Sequence, residues 1–140
     1  MSEKQTVQVD QTKLGWSLFA LRVGIFIVIG IWSLDKFFNP GHVAAVFSKF
    51  YQIDQLGEMT AYLMGTVQII LALLFVTGCK KNITYLLILI IHLASTLVSF
   101  PIYMSPFANS NLLFFAAWPM LGACIALYLL RDYDKCFCVK

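Results

Sequence analysis

Polar and apolar residues alternate along this chain in long blocks. A polar start gives way to four runs nearly free of charge, at residues 14–34, 57–78, 83–100 and 112–130, and the chain closes on a polar segment, residues 131–140. A helix needs about 20 apolar residues to cross a hydrocarbon core roughly 30 Å thick. Each run is close to that length, so the pattern predicts an all-α transmembrane four-helix bundle, a single membrane domain over residues 1–140. Within the first run Trp16 and Trp32 stand near the two ends, where indole rings favour the lipid–water interface. Asp35, Lys36 and then Asn39-Pro40-Gly41 end it, because charges leave the hydrocarbon and proline cannot continue a helix.

Between the first two runs, residues 42–56 place Val43, Val46, Phe47 and Phe50 at helical spacing, with Ile53 less regular, while Ser48, Lys49, Gln52 and Asp54 fall mostly elsewhere. This predicts a short amphipathic helix on the outer membrane face. Ala61, Gly65, Gln68, Ala72 and Cys79 share one face of the second run, a small-residue surface on which another helix can approach closely. Residues 78–82 read as a tight basic turn that pairs spans two and three. In the third run His92, Ser95, Thr96 and Ser99 form a polar stripe expected to face the bundle. In the fourth, Pro119 predicts a mid-span kink, and Gly122 and Ala126 a close-packing pair.

Composition strengthens this picture. The chain is 60% hydrophobic and 12% charged, with a mean hydropathy of +0.80, which excludes an ordinary soluble domain. The lipid bilayer is the expected partner, with no nucleic acid. The apolar run behind the N-terminus is too long for a signal-peptide core and lacks a small-residue cleavage site, so it is expected to stay as a span. With the N-terminus inside, Lys4, Lys13, Lys80, Lys81, Arg131, Lys135 and Lys140 all fall on the cytoplasmic side, leaving Lys36 and Lys49 outside. Both termini are therefore predicted cytoplasmic, in a multi-pass protein of the inner membrane. Cys79, Cys136 and Cys138 then face a reducing compartment and Cys124 lies within the fourth span, so no disulfide framework is implied.

The candidate chemistry begins with Arg22, a charge well inside the first run. By helical rise, Arg22, Gln68 and His92 each lie roughly 12–15 Å from the cytoplasmic side, with Cys124 a little nearer to it. An arginine at such depth costs about 3 kcal/mol or more without partners. No acidic residue is expected at its level, which leaves Gln68, neutral His92, carbonyls freed by Pro119 or a bound ligand as acceptors. Two readings follow: Arg22 snorkels toward the headgroups while His92 bonds its neighbours, or the three residues form a cofactor-binding layer for an electronegative group such as a quinone carbonyl. Lys36 continues the Arg22 face outward, past Ile29 and Ser33, to pair with Glu58 or to sit in solvent.

Cys136 and Cys138 form a CxC pair on the same side as Cys79, a weak soft-metal or thiol-exchange signal without CxxC or zinc spacing. His42 and His92 are predicted at different depths, which disfavours a bis-histidine haem. No phosphate loop, nucleophile elbow or paired-carboxylate motif occurs, and no catalytic residue is assigned.

The pattern L-R-x-G-(x5)-G-(x5)-K-F, formed by Leu21, Arg22, Gly24, Gly30, Lys36 and Phe37, is followed by the amphipathic segment, Glu58 at the head of a Gly-containing span, and a basic turn. Together these resemble the DoxX family of small four-span membrane proteins. The resemblance covers nearly the whole chain and implies a four-helix bundle associated with membrane redox systems, related to the small subunit of thiosulfate:quinone oxidoreductase. Arg22, Gly24, Gly30 and Lys36 are the matching motif positions. The chain departs from the pattern at Cys79-Lys80-Lys81, where an arginine pattern is expected, and in the CFC tail.

The expected function is that of an accessory subunit of such a system, oxidoreductase-associated rather than an enzyme by itself, with a quinone as the cofactor to look for. It would work with other membrane subunits or as a homo-oligomer. Its alternatives are a non-catalytic scaffold of a larger complex and a thiol or soft-metal carrier using Cys79, Cys136 and Cys138.

Overall fold

The computed structural model describes residues 8–54 and 56–139; Lys4 and Lys140 lie outside the described residues. The chain is all-helical, and four helices are long and apolar enough to cross a membrane. It is a multi-pass membrane protein built as a four-helix bundle.

α1 spans Gln11–Phe38. The Asp10 carboxylate caps it by accepting from the Thr12 and Lys13 amides, supplying acceptors for N–H groups that have no intrahelical partner. Its 28 residues measure about 42 Å, some 12 Å more than the hydrocarbon core, so its ends project into the interfaces. Asn39 breaks it and Pro40 opens α2, Pro40–Tyr51. Here Val43 is buried and Val46, Phe47 and Phe50 are half-buried, while Ser48 and Lys49 are exposed, the amphipathic pattern read from the sequence. The helix starts two residues earlier than that reading and stops before Ile53, which is exposed, because Gln52 turns left-handed at φ 56.

α3, Glu58–Val76, carries Glu58 in its first turn, where a carboxylate favours the helix dipole. Its small face is buried at Ala61, Gly65 and Ala72. A β-carbon on Gly65 would stand 2.6 Å from the Phe37 ring, so α1 crosses there at glycine distance. α3 therefore packs most extensively on α1. It also packs, less extensively, on the next span, α4, Lys81–Val98, the antiparallel pairing that the tight turn leads one to expect. α4 follows through a tight turn with Gly78 at φ +68 and Lys80 at φ 45 but packs mainly on the last span. The side-chain surface decides the pairing, because in lipid helices associate through van der Waals fit rather than through the hydrophobic effect.

α5, Phe100–Tyr103, is one turn. The fourth span then begins as a 3₁₀ helix, Asn111–Ala116, and becomes α6, Ala117–Leu129. Pro119 thus lies in the first turn of an α-helix, where no intrahelical N–H bond is lost, and the predicted mid-span kink is replaced by this change of helix type. Leu121, Cys124 and Leu127 face the core. Gly122 is exposed with nothing within 4 Å of its β-carbon position, so the Gly122–Ala126 spacing is not a contact within the chain. On α4 His92 and Thr96 point inward as expected, whereas Ser95 is exposed and returns its hydroxyl to the His92 carbonyl at 2.9 Å. A serine can meet its hydrogen-bonding need on its own helix and so does not need the bundle.

The core of Leu18, Ile25, Phe75, Tyr85, Ile88, Cys124 and Leu127 lies toward the end where the start of α1 meets the segment after α6. Large apolar side chains such as Ile27, Ile31, Leu63, Val67, Ile83, Leu97 and Leu129 cover the outside, a surface suited to lipid and not to water.

Candidate functional site

Arg22 follows Leu18 and precedes Ile25 on the buried face of α1, and its residue is fully buried, at 0% exposure. The long side chain reaches toward the terminal end of the bundle, level with the α3–α4 turn: a β-carbon on Gly78 would stand 2.9 Å from Arg22 Nη1. What meets the guanidinium there is the polar segment after α6.

That segment turns back at once. Tyr133 and Asp134 donate their amides to the Leu130 and Arg131 carbonyls. Arg131 fixes the turn by donating to Asn82 Oδ1 at 2.6 Å and to the Tyr128 carbonyl at 2.7 Å. Lys81 Nζ holds the Asp134 carbonyl. The strap closes where the Val139 amide donates to the Thr77 carbonyl at 2.9 Å. Phe137, left-handed at φ 49, packs its ring on Phe19 and Trp16, with centroids 5.1 and 6.0 Å apart.

Arg22 Nη1 donates to Asp134 Oδ2 at 3.1 Å, to Tyr85 Oη at 3.2 Å and to Cys138 Sγ at 2.9 Å, while Nη2 donates to the carbonyls of Cys136 and Phe137. Tyr85 Oη donates to the same carboxylate oxygen at 2.6 Å. Arg22 and Asp134 side chains are both at 0% exposure. The carboxylate that the sequence reading found missing at the level of Arg22 is therefore present, carried in from the tail. Two atoms of the pair, Arg22 Nε and Asp134 Oδ1, are buried without a partner. The guanidinium thus reaches toward the terminal end, as the snorkelling reading has it, but is buried under a protein strap and not among headgroups.

The other residues singled out from the sequence lie apart from this cluster. His92 Nε2 faces the Ala117 carbonyl at 3.0 Å, seven residues beyond Tyr85 on α4, about 10 Å along the axis. Gln68 is half-buried. Among the described residues no hydrogen bond joins Arg22, Gln68 and His92. Gly24 is exposed and Gly30 half-buried, and neither has an atom within 4 Å of its β-carbon position. Gly30 lines a small apolar groove of about 130 Å³ between α1 and α3, with Phe26, Leu34 and Ala72. Lys36 is buried and donates to the Trp32 carbonyl at 3.0 Å; no ion pair to Glu58 forms among the described residues. Asp35 instead engages His42 Nδ1 at 2.6 Å and Asn39 Nδ2 at 3.0 Å.

Cys136 and Cys138 are half-buried and free, as is Cys79 in the neighbouring turn. Their sulfurs point to different walls: a β-carbon on Gly15 would lie 3.0 Å from Cys136 Sγ, and one on Gly78 only 2.7 Å from Cys138 Sγ. Among the described residues no three His, Cys, Asp or Glu side chains gather as a metal-holding group. Beside Cys138 a polar cleft of about 430 Å³ opens between the α3–α4 turn and the tail, lined by Gly78, Lys80, Lys81, Asn82, Asp132 and Val139.

Sequence reasoning missed Tyr85, Asp134 and the folding back of the tail. One signal was available: four spans return the C-terminus to the side of Arg22, and the tail carries the nearest unassigned carboxylates. The fold and site thus define an integral four-span protein with a buried Arg–Tyr–Asp cluster beneath a thiol-bearing strap. No family model, curated protein or solved structure matches the chain.

Proposed function

We propose that the protein is an accessory subunit of a membrane redox system, lying in the inner membrane with both termini cytoplasmic, and that its working surface is the strapped end of the bundle. The observation that carries this reading is the buried pair of Arg22 and Asp134 at 3.1 Å. Burying two charges is costly, and a buried pair contributes fixed geometry more than stability. What this pair fixes in place is a segment bearing two thiols. Two lines support the rest. The L-R-x-G-(x5)-G-(x5)-K-F pattern resembles the DoxX family, and Arg22 is one of its two charged members, with Lys36. Lys13, Lys80, Lys81, Arg131 and Lys135 gather at the terminal end, against Lys36 and Lys49 at the other, which favours a cytoplasmic terminal end.

The quinone layer of Arg22, Gln68 and His92 needs guanidinium donors that the strap now holds, so that reading requires the strap to leave. One preparation tests both. Purified gently from its native membrane, the protein is expected to bring along a larger polypeptide whose absorbance shows flavin, haem or an iron–sulfur centre, and deletion of residues 132–140 is expected to lose it. A chain that purifies alone in both forms would sink the proposal. Quinone extracted only from the deleted form would favour the layer instead.

A further inference from the structure

We propose that Cys138 and Cys136 form a dithiol site for small anionic disulfides, which bind in the lysine-lined cleft beside the strap. The inference rests on reading the strapped end as the working surface and adds its chemistry. Three observations converge. Cys138 Sγ accepts a hydrogen bond from Arg22 Nη1 at 2.9 Å and donates its thiol proton to the Asp134 carbonyl at 3.2 Å, so a cationic donor and a proton acceptor both touch the sulfur. The second thiol stands two residues away on a strap whose middle residue, Phe137, is held left-handed at φ 49, so the two sulfurs are kept on separate walls until the strap moves. Third, a cleft of about 430 Å³ is lined by Gly78, against which Cys138 Sγ packs, and by Val139, the residue after it, and carries Lys80 and Lys81 on its rim, with Asp132 as its single acidic lining residue. An anionic ligand suits that charge balance.

The chemistry balances without a further reagent. The Cys138 thiol gives its proton to water and attacks one sulfur of the bound disulfide RSSR as the thiolate; the S–S bond breaks, a mixed disulfide forms on Cys138, and RS⁻ leaves and takes a proton from water. Cys136 then loses its proton to water and attacks the Cys138 sulfur, expelling the second RS⁻, which also takes a proton from water. The two cysteines are oxidised to one intramolecular disulfide and RSSR is reduced to two RSH. Forming that bond draws Cys138 off Arg22.

The test uses the full chain in lipid vesicles, treated with oxidised glutathione or with uncharged bis(2-hydroxyethyl) disulfide, followed by peptide mass spectrometry. The wild type is expected to yield a Cys136–Cys138 disulfide, and Cys136→Ser to trap the glutathione adduct on Cys138. Lys80→Gln is expected to slow reaction with the charged reagent about fivefold, the weight of one close charge pair in water, and to leave the uncharged reagent unaffected. Equal adducts on Cys79, a trapped adduct on Cys136 in Cys138→Ser as fast as on Cys138, or equal slowing of both reagents overturns the proposal. Because the readout is on the isolated chain, loss of a co-purifying partner bears on the proposed function and leaves this result standing.

Discussion

Arg22 and Lys36 are buried cations on one face of α1, fourteen residues apart, and they are satisfied in opposite ways. Lys36 has a single partner, the Trp32 carbonyl of its own helix, and nothing distant must arrive for it to be housed. Arg22 has a carboxylate, a phenol, a thiol and two carbonyls, all from residues at least 63 positions away. An ammonium on a flexible stem near the end of a long helix can use a local acceptor, whereas a planar guanidinium with five donors demands a built receptor. One end of the bundle is thus closed by local geometry and the other by a tertiary clasp.

Three substitutions break or sharpen that contrast. Asp134→Ala leaves the guanidinium buried without its counter-charge and is expected to cost about 3–5 kcal/mol, read as a lower unfolding midpoint in detergent; adding Arg22→Met should recover much of the loss. A single variant as stable as the wild type would show that the clasp carries no weight. Gly78→Ala forces a β-carbon into a left-handed residue, about 1–2 kcal/mol by backbone alone, and pushes on Cys138, so cleavage of the tail by protease should quicken alongside. The third, Lys36→Met, removes one hydrogen bond to a helix carbonyl and also the burden of a buried ammonium; the two offset, and unfolding is expected to shift by less than about 1 kcal/mol. A loss as large as that of Asp134→Ala would make the two ends alike after all.

The spans, the α2 amphipathic helix and the small face of α3 were legible because each depends on neighbours a few residues away: apolar length, a 3.6-residue period, glycine and alanine on one side. The same local logic places Ser33 and Lys36 on the Arg22 face, but it expects Lys36 to pair with Glu58 or to sit in solvent, and Lys36 is buried on its own helix carbonyl. The clasp was not legible in that way. Depth counted along a helix locates a Cα, while an arginine side chain places its charge more than a turn away, and here it points to the terminal end. His92 is turned inward but finds the Ala117 carbonyl on α6. The tail reads as solvent-loving because Arg131, Asp132, Asp134 and Lys135 are charged, yet Asp134 is fully buried. Composition gives a segment's average preference, and one ion pair can override it.

The separation of 112 residues between Arg22 and Asp134 also sets an order of events during biosynthesis. α1 leaves the ribosome and enters the bilayer long before its counter-charge exists, so a nascent chain carries an unneutralised arginine through the insertion of three more spans. Only after the last span is threaded can the carboxylate arrive, and emergence of the segment behind α6 becomes the moment at which the first helix settles. A copy truncated before Asp134 is left with Arg22 unpaired inside the bundle.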